Sequence, residues 1–367
     1  MIVLHAAPIK AGNIGGAEAA VPSLIAAQNR CNHVKAALTV TIPAMQDLPQ
    51  TDFPVFECDP LLDKSARLRL PAPFDRPQLV VFHGTYIPVQ IAIAGKLRKA
   101  GIPYVICPHG GMTRFAQTCK AWKKRIANAL FFNSMVAGAA ALHCLTQGEA
   151  EASSGWKRPI FVVGNGVQLP PESKLASPGA SPSLRLLFLG RMEVKIKGLD
   201  MLLDACRLVR SALVEAGARV ELCGPDWQGS TRLLAARIAA LGLENVVRLS
   251  KPVTGEAKKA LFRGADVFLH PSRSEGHPMA VLEALAHGVP CLLTPNTNVA
   301  SEVVSAGAGW QVEPSASGIA DGLSKLLSLD KRLLGEAGAK ARRMAASQYD
   351  WQTVAGRTVN AYRRFAA

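Results

Sequence analysis

Residues 184–213 read LRLLFLGRMEVKIKGLDMLLDACRLVRSAL. An apolar run passes through a glycine-flanked loop carrying cations into a stretch of helical periodicity, the strand-loop-helix signature of a parallel α/β sheet. In open sheets of that kind, ligands bind beyond the carboxyl ends of the strands. Arg191 and Lys197 therefore stand where a charged ligand arrives. A planar guanidinium fork and a compact ammonium together suit a diphosphate. The plain alternative is a solvated basic turn in which Arg191 pairs with Glu193.

The same alternation runs along the chain. Strand-like IVLHAA, ALTVTI, QLVVFHG, PYVICPHG, AALHCLT and IFVVGNGV form one series ending near Val167. LRLLFLGR, RVELCGP, VVRLSKPV, DVFLHPS, VPCLLTP and GWQVEP form a second between residues 184 and 314. Between them QLPPESKLASPGASPS, aperiodic and rich in Pro, Ser and Gly, has the composition of a linker. The expected architecture is α/β: two Rossmann-like domains, 1–167 and 184–349, joined by 168–183 and facing each other across a cleft. A length of 367 residues agrees with two domains at roughly 150 residues each. From Glu313 onward the pattern is helical, and no repeat at a period of about 20 to 50 residues suggests a solenoid or propeller.

Hydrophobic content of 49% against 19% charged residues excludes a disordered chain. The eight cysteines are scattered singly, several inside apolar runs, which reads as reduced thiols in the cytosol. The chain opens on a strand, MIVLHAA, with no signal-peptide pattern, so a cytoplasmic location is expected. Between Arg125 and Glu149 lie 23 uncharged residues, long enough for a membrane span. Asn128, Asn133, Ser134, Gly138 and His143 interrupt them, and a helix followed by the strand AALHCLT is the better reading. The net charge is +15, and from Arg76 to Gly148 there is no acid at all. Such a face attracts polyanions: nucleic acid, anionic lipid or a diphosphate. Within it, TCKAWKKRIANALFF (118–132) sets Lys120, Lys123, Lys124 and Arg125 beside Trp122, Ile126, Leu130 and Phe131. That is the composition of an amphipathic helix at a membrane interface, or else of a core helix with solvated lysines. An aromatic content of 6% argues against nucleic acid, which needs base-stacking platforms.

A second motif, SEGHPMAVLEALAHGVP (274–290), follows the strand DVFLHPS and places Glu275 on a loop and Glu283 inside a helix that Pro278 begins and Gly288 with Pro290 ends. Paired carboxylates also equip glycoside hydrolases, so that reading stays open. The backbone of Gly276, His277, Pro278 and Met279 lies at a helix N-terminus, an anion-binding position. Near the start, APIKAGNIGGAEAAV has adjacent Gly15 and Gly16 that permit close approach of a ligand, without the G-x-G-x-x-G of a nicotinamide site. His83 and His109 each close an apolar strand, and Gly110 with Gly111 leaves the surroundings of His109 open. No Cys/His cluster has metal-ligand spacing and no D-x-D is present, so neither metal nor cofactor is expected.

Together, the early GG, PHGG (108–111), GNGV (164–167), GR-x5-KG (190–198) and E-x7-E (275–283) resemble family 4 glycosyltransferases of the GT-B fold, over nearly the whole chain. The resemblance implies retaining, metal-independent sugar transfer. It assigns Arg191 and Lys197 to the diphosphate of a nucleotide-sugar, Glu275 to sugar hydroxyls, Glu283 to the ribose and His109 to the reacting sugar. Gly15 and Gly16 would approach donor and acceptor, and the last helix, near 350–367, would pack back on the first domain. The expected partners are a UDP- or GDP-sugar donor and an acceptor glycan, linked to polyprenyl diphosphate if the basic face meets an anionic membrane from the cytoplasmic side. Asn296, Thr297 and Asn298 replace the family's usual Gly-Gly before a Glu, and GPDWQG departs from its G-x-G-P, leaving base and sugar open. A nucleotide-sugar epimerase of the same fold is the other reading.

Overall fold

The computed structural model describes residues 1–9, 16–41, 51–57, 69–118 and 120–367, and it divides into two compact units. The first comprises Met1–Gly166 and Trp351–Ala367, the second Val167–Asp350.

In the first unit β1 (Ile2–Ala7), β2 (Lys35–Val40), β3 (Val55–Glu57), β4 (Leu79–His83), β5 (Tyr104–Cys107), β6 (Ala141–Cys144) and β7 (Ile160–Val162) form a parallel sheet in the order β3-β2-β1-β4-β5-β6-β7. All of β4, β5 and β6 is buried, as expected of parallel strands covered on both faces, which is why their sequences are continuous apolar runs. β3 has no counterpart in the sequence reading; three residues beside Pro54 are too short to show a period. Strand order reverses at β1, so the carboxyl ends of β1, β4 and β5 lie side by side, with the Pro108–Gly111 turn leaving β5. The helix Trp351–Arg363 packs on Gly16–Asn29 in this unit. Its Tyr362, fully buried, meets Nδ1 of His143 at 3.1 Å.

The second unit repeats the plan with β8 (Arg185–Leu189), β9 (Arg219–Cys223), β10 (Val247–Ser250), β11 (Val267–His270), β12 (Cys291–Leu293) and β13 (Gly309–Gln311), in the order β10-β9-β8-β11-β12-β13. Apolar clusters fill both faces, around Phe188 and Leu202 on one side and Phe268 and Leu285 on the other. Here the order reverses at β8, whose neighbours are β9 and β11. The loops bearing GRMEVKIKG and SEGHP thus leave adjacent strands at the switch point of the sheet, where ligands of open α/β sheets bind.

Residues 168–183, read as a linker, are held against the second unit. Ala176 N donates to His287 O at 2.8 Å, and Gly179 N to Oδ1 of the buried Asp266 at 2.8 Å. Their Pro, Ser and Gly content reflects turns that dock by backbone hydrogen bonds rather than free chain.

Candidate active site

In the second unit the motif loops are joined by one carboxylate oxygen. Oε1 of Glu275 accepts from Lys197 Nζ at 2.6 Å, Ser272 Oγ at 2.7 Å and His270 Nε2 at 3.0 Å. Lys197 ends the short helix Val194–Lys197 after β8, and it is turned inward by Gly198, whose φ of +67° few other residues adopt. A Cβ on Gly198 would sit 2.0 Å from Pro271 O, so the two loops meet at van der Waals limit only because that side chain is absent. Burial alone would raise the Glu275 carboxyl. The hydrogen bond from His270 and the charge and bond of Lys197 outweigh it and hold the group below its ordinary 4.5. Burial lowers His270, which lies between Phe188 and Phe268, so the ring is neutral, donates through Nε2 and leaves Nδ1 buried without a partner among the described residues. None of the described residues bonds to Oε2 of Glu275, which is left to accept from a ligand.

Arg191 stands apart from this cluster. It is about half exposed, lies 3.5 Å from Glu193 Oε2 and stacks on Trp227 at 4.7 Å. The pairing with Glu193 offered as the plain alternative is therefore present, although the stacking also presets the guanidinium plane. Glu283 sits in the helix Met279–Ala286 and pairs with Lys258 at 2.6 Å, so the two glutamates have separate cationic partners. Pro278 is the N-cap of that helix rather than its first residue. Gly276 is tied down by Asn298, whose side-chain amide donates to the carbonyls of Glu275 and Gly276, while Glu275 N donates to Asn296 O. Asn298 adopts a φ of +62°, tolerated by Asn, and this is what stands where the resembled family has glycines. His277 is buried against Tyr349, and burial lowers it to about 4. A glycosidase acid requires a raised carboxyl. Glu275 is held the opposite way, so it is equipped to accept hydrogen bonds, not to protonate a leaving group.

In the first unit His109 follows β5 with a φ of +48°, and the turn around it is fixed by Glu149. This buried carboxylate accepts from Gly110 N and Leu145 N. At Gly111 a Cβ would fall 2.3 Å from Thr85 Oγ1. Gly15 lies outside the described residues; Gly16 is the exposed first residue of the helix Gly16–Asn29. His83, Cys107 and His109 bring three metal-ligand atoms within 4.8 Å of one another. Burial and the nearby Glu149 push the Cys107 thiol well up, against metal binding, and the two imidazoles already bond each other at 3.0 Å.

The 118–132 stretch is not one helix. Ala121–Ala127 runs into a π-helical turn, Asn128–Phe132, after a left-handed Lys120. Phe132 enters the core of the first unit, but the other large apolar residues face outward: Trp122 is 66%, Leu130 63%, Phe131 57% and Ile126 52% exposed, with Phe115 beside them in sequence at 56%. Lys120, Lys123 and Arg125 are also exposed. Lys124 departs from the set, lying over the Tyr86 ring and donating to Ala116 O. Among the described residues no helix is long and apolar enough to cross a membrane.

Two family models match these units, one described as glycosyl transferase 4-like domain over residues 15–166 and one as glycosyl transferases group 1 over 183–329. The chain belongs to the GT4-type glycosyltransferases. A D-inositol 3-phosphate glycosyltransferase of Corynebacterium urealyticum is 31% identical over 180 residues, 48% of this chain and 42% of that one, so the chain spans less than half the length of that relative. A GDP-mannose:cellobiosyl-diphosphopolyprenol alpha-mannosyltransferase of Xanthomonas oryzae pv. oryzae is 29% identical over 272 residues, 71% of this chain and 68% of its own. The crystal structure of HepE from Anabaena in complex with UDP and glucose matches 99% of this chain and 100% of its own at a TM-score of 0.73 and 19% identity, a likeness of fold, GT-B.

Several residues that shape the candidate site escaped the sequence reading. His270 closes its strand as His83 does, and that shared position was the available signal. Glu149 is the first acid after the acid-free stretch and follows Thr146 by three residues, the spacing of a helix capping box. Lys258 and Trp227 gave no such signal, because their contacts are made far along the chain.

The Glu275 cluster makes a stability prediction with a definite sign. A carboxyl whose folded value is depressed adds stability above its unfolded value and loses it as pH falls through the folded one. Glu275→Gln should cost about 3 kcal/mol at pH 7, the penalty of leaving a largely buried cation unpaired. Urea unfolding at several pH values should show that difference constant at neutral pH and shrinking only below the ordinary 4.5. A difference that instead grows on acidification contradicts the assigned charge state. By the same reasoning Lys197→Ala should cost stability, since it strands Glu275.

Proposed function

We propose that this glycosyltransferase moves a sugar, with retention of anomeric configuration, from a nucleoside-diphosphate sugar to an acceptor hydroxyl. The observation that carries the reading is the Lys197–Glu275 pair of 2.6 Å at the carboxyl ends of the adjacent strands β8 and β11. Lys197 and the exposed Arg191 suit the diphosphate, and the amides opening the helix Met279–Ala286 add a partial positive charge. The free Oε2 of Glu275 suits a sugar hydroxyl, and Glu283 a ribose. In the step itself the bond from the anomeric carbon to the diphosphate oxygen breaks. The bond to the acceptor oxygen forms on the same face, and the acceptor proton passes to the leaving diphosphate. The cations stabilise the charge that develops there, and no resident metal enters this reading. The names of the relatives, one using GDP-mannose and one crystallised with UDP, support a UDP- or GDP-sugar.

We further infer an acceptor linked to polyprenyl diphosphate, met at the cytoplasmic face of an anionic membrane. The Xanthomonas relative is named for such an acceptor. The outward Trp122, Ile126, Leu130 and Phe131 beside Lys120, Lys123 and Arg125 have the chemistry of an interfacial helix, with apolar anchors rimmed by cations.

Thermal-shift screening with UDP-, GDP- and ADP-sugars should single out one nucleotide, and product analysis should then show sugar on an acceptor. Arg191→Ala, which removes an exposed side chain, should lower turnover by about 10²-fold with the fold retained. Unchanged turnover would sink its assignment to the diphosphate. In flotation at moderate salt the protein should rise with vesicles containing phosphatidylglycerol and not with pure phosphatidylcholine, and Trp122→Asp should abolish this. Equal recovery with both vesicle types removes the membrane half of the proposal.

A further inference from the structure

Behind His109 the first unit holds a file of buried polar side chains that sugar transfer, as proposed, does not yet use. His109 Nε2 lies 3.0 Å from His83 Nδ1, His83 Nε2 lies 2.9 Å from His5 Nδ1, and His5 Nε2 lies 2.8 Å from Gln28 Oε1. His5, His83 and Gln28 are all at least 98% buried. The file crosses the sheet from the helix Gly16–Asn29 through β1 and β4 to the turn after β5.

A neutral imidazole has one donor and one acceptor, so a file of them has only two self-consistent proton orders. Burial keeps all three rings uncharged near neutral pH: it lowers His5 and His109 to about 4 and His83 well below its usual value. Gln28 sets the direction. With its carbonyl oxygen turned to His5, and its buried Nε2 left without a partner among the described residues, Gln28 accepts, so His5 carries its proton on Nε2 and offers a lone pair at Nδ1. His83 must then donate from Nε2, and His109 must donate from Nε2 in turn. This order puts the proton on Nε2 of every ring, the tautomer that free histidine itself prefers; the reversed order would place all three on Nδ1. No described residue bonds to Nδ1 of His109, the partly buried end of the file.

We propose that Gln28, His5 and His83 are positioning residues that act through His109, holding it as the Nε2–H tautomer and leaving its Nδ1 lone pair to accept a hydrogen bond from a ligand hydroxyl. The sugar as ligand rests on the transfer proposed above; the proton order does not. The remaining strain supports a set ring orientation: His109 keeps a left-handed backbone that few non-glycine residues adopt, which persists only where the surroundings enforce it.

The test uses the full chain with ¹⁵N-labelled histidine. Two-dimensional NMR should place the proton on Nε2 of His5, His83 and His109, with couplings across the hydrogen bonds linking the three rings. Gln28→Met, which keeps the volume and removes the amide acceptor two rings away from His109, should shift the His109 ring signals. With whichever of UDP-glucose or GDP-mannose the wild type turns over, the same variant should lower kcat about tenfold at unchanged KM. A proton on Nδ1 of His109, or absent couplings, overturns the relay. So does a Gln28→Met variant whose His109 signals and kcat both match wild type. Should the wild type turn over no nucleotide sugar, the transfer reading fails while the spectrum still decides the proton order.

Discussion

One carboxylate oxygen, Oε1 of Glu275, binds together two loops that leave neighbouring parallel strands. A lysine, a serine and a neutral histidine converge on it, and the bond lengths of 2.6, 2.7 and 3.0 Å leave no slack for Lys197 to wander. Ion pairs at this depth contribute little net stability against an apolar replacement, because each charge gives up its water. What such a pair supplies is geometry. Lys197 is ordered before any ligand arrives, and the second carboxylate oxygen is aimed by the first. The aromatic rings around His270 exclude other partners for that histidine, so the tautomer that serves Glu275 is set by packing.

The first unit solves a similar problem without a buried charge pair. A turn in unfavourable backbone conformation is pinned by Glu149, and a file of uncharged imidazoles stands behind it. In both units a residue near the carboxyl end of a strand is oriented by side chains behind it, His270 and Ser272 behind Glu275 and His83 behind His109. Parallel sheets make this economical, since neighbouring strand ends bring side chains from distant parts of the chain within hydrogen-bond reach.

Much of this was legible in the sequence. Continuous apolar runs marked the strands because both faces of each sheet are covered, and strand-end placement singled out Arg191, Lys197, Glu275 and His109 before any coordinates. Partnerships were not legible. Nothing local announces that Lys197 faces Glu275, 78 positions away, or that Glu283 pairs with Lys258 across a helix and a strand. Nor does periodicity reveal outward apolar residues: Trp122, Leu130 and Phe131 have the same pattern whether they face a core or a solvent, and only the fold decides. The edge strand β3 and the docking of segment 168–183 went unseen for a related reason, since short elements held by backbone hydrogen bonds leave little trace in side-chain pattern.

The most direct measurement is a crystal structure of the chain with whichever of UDP or GDP binds it. The account predicts a phosphate oxygen within about 3 Å of Lys197 Nζ or the Arg191 guanidinium, at hydrogen-bond distance, with the Glu275 cluster unchanged behind it. A diphosphate bound away from the carboxyl ends of β8 and β11 would contradict it.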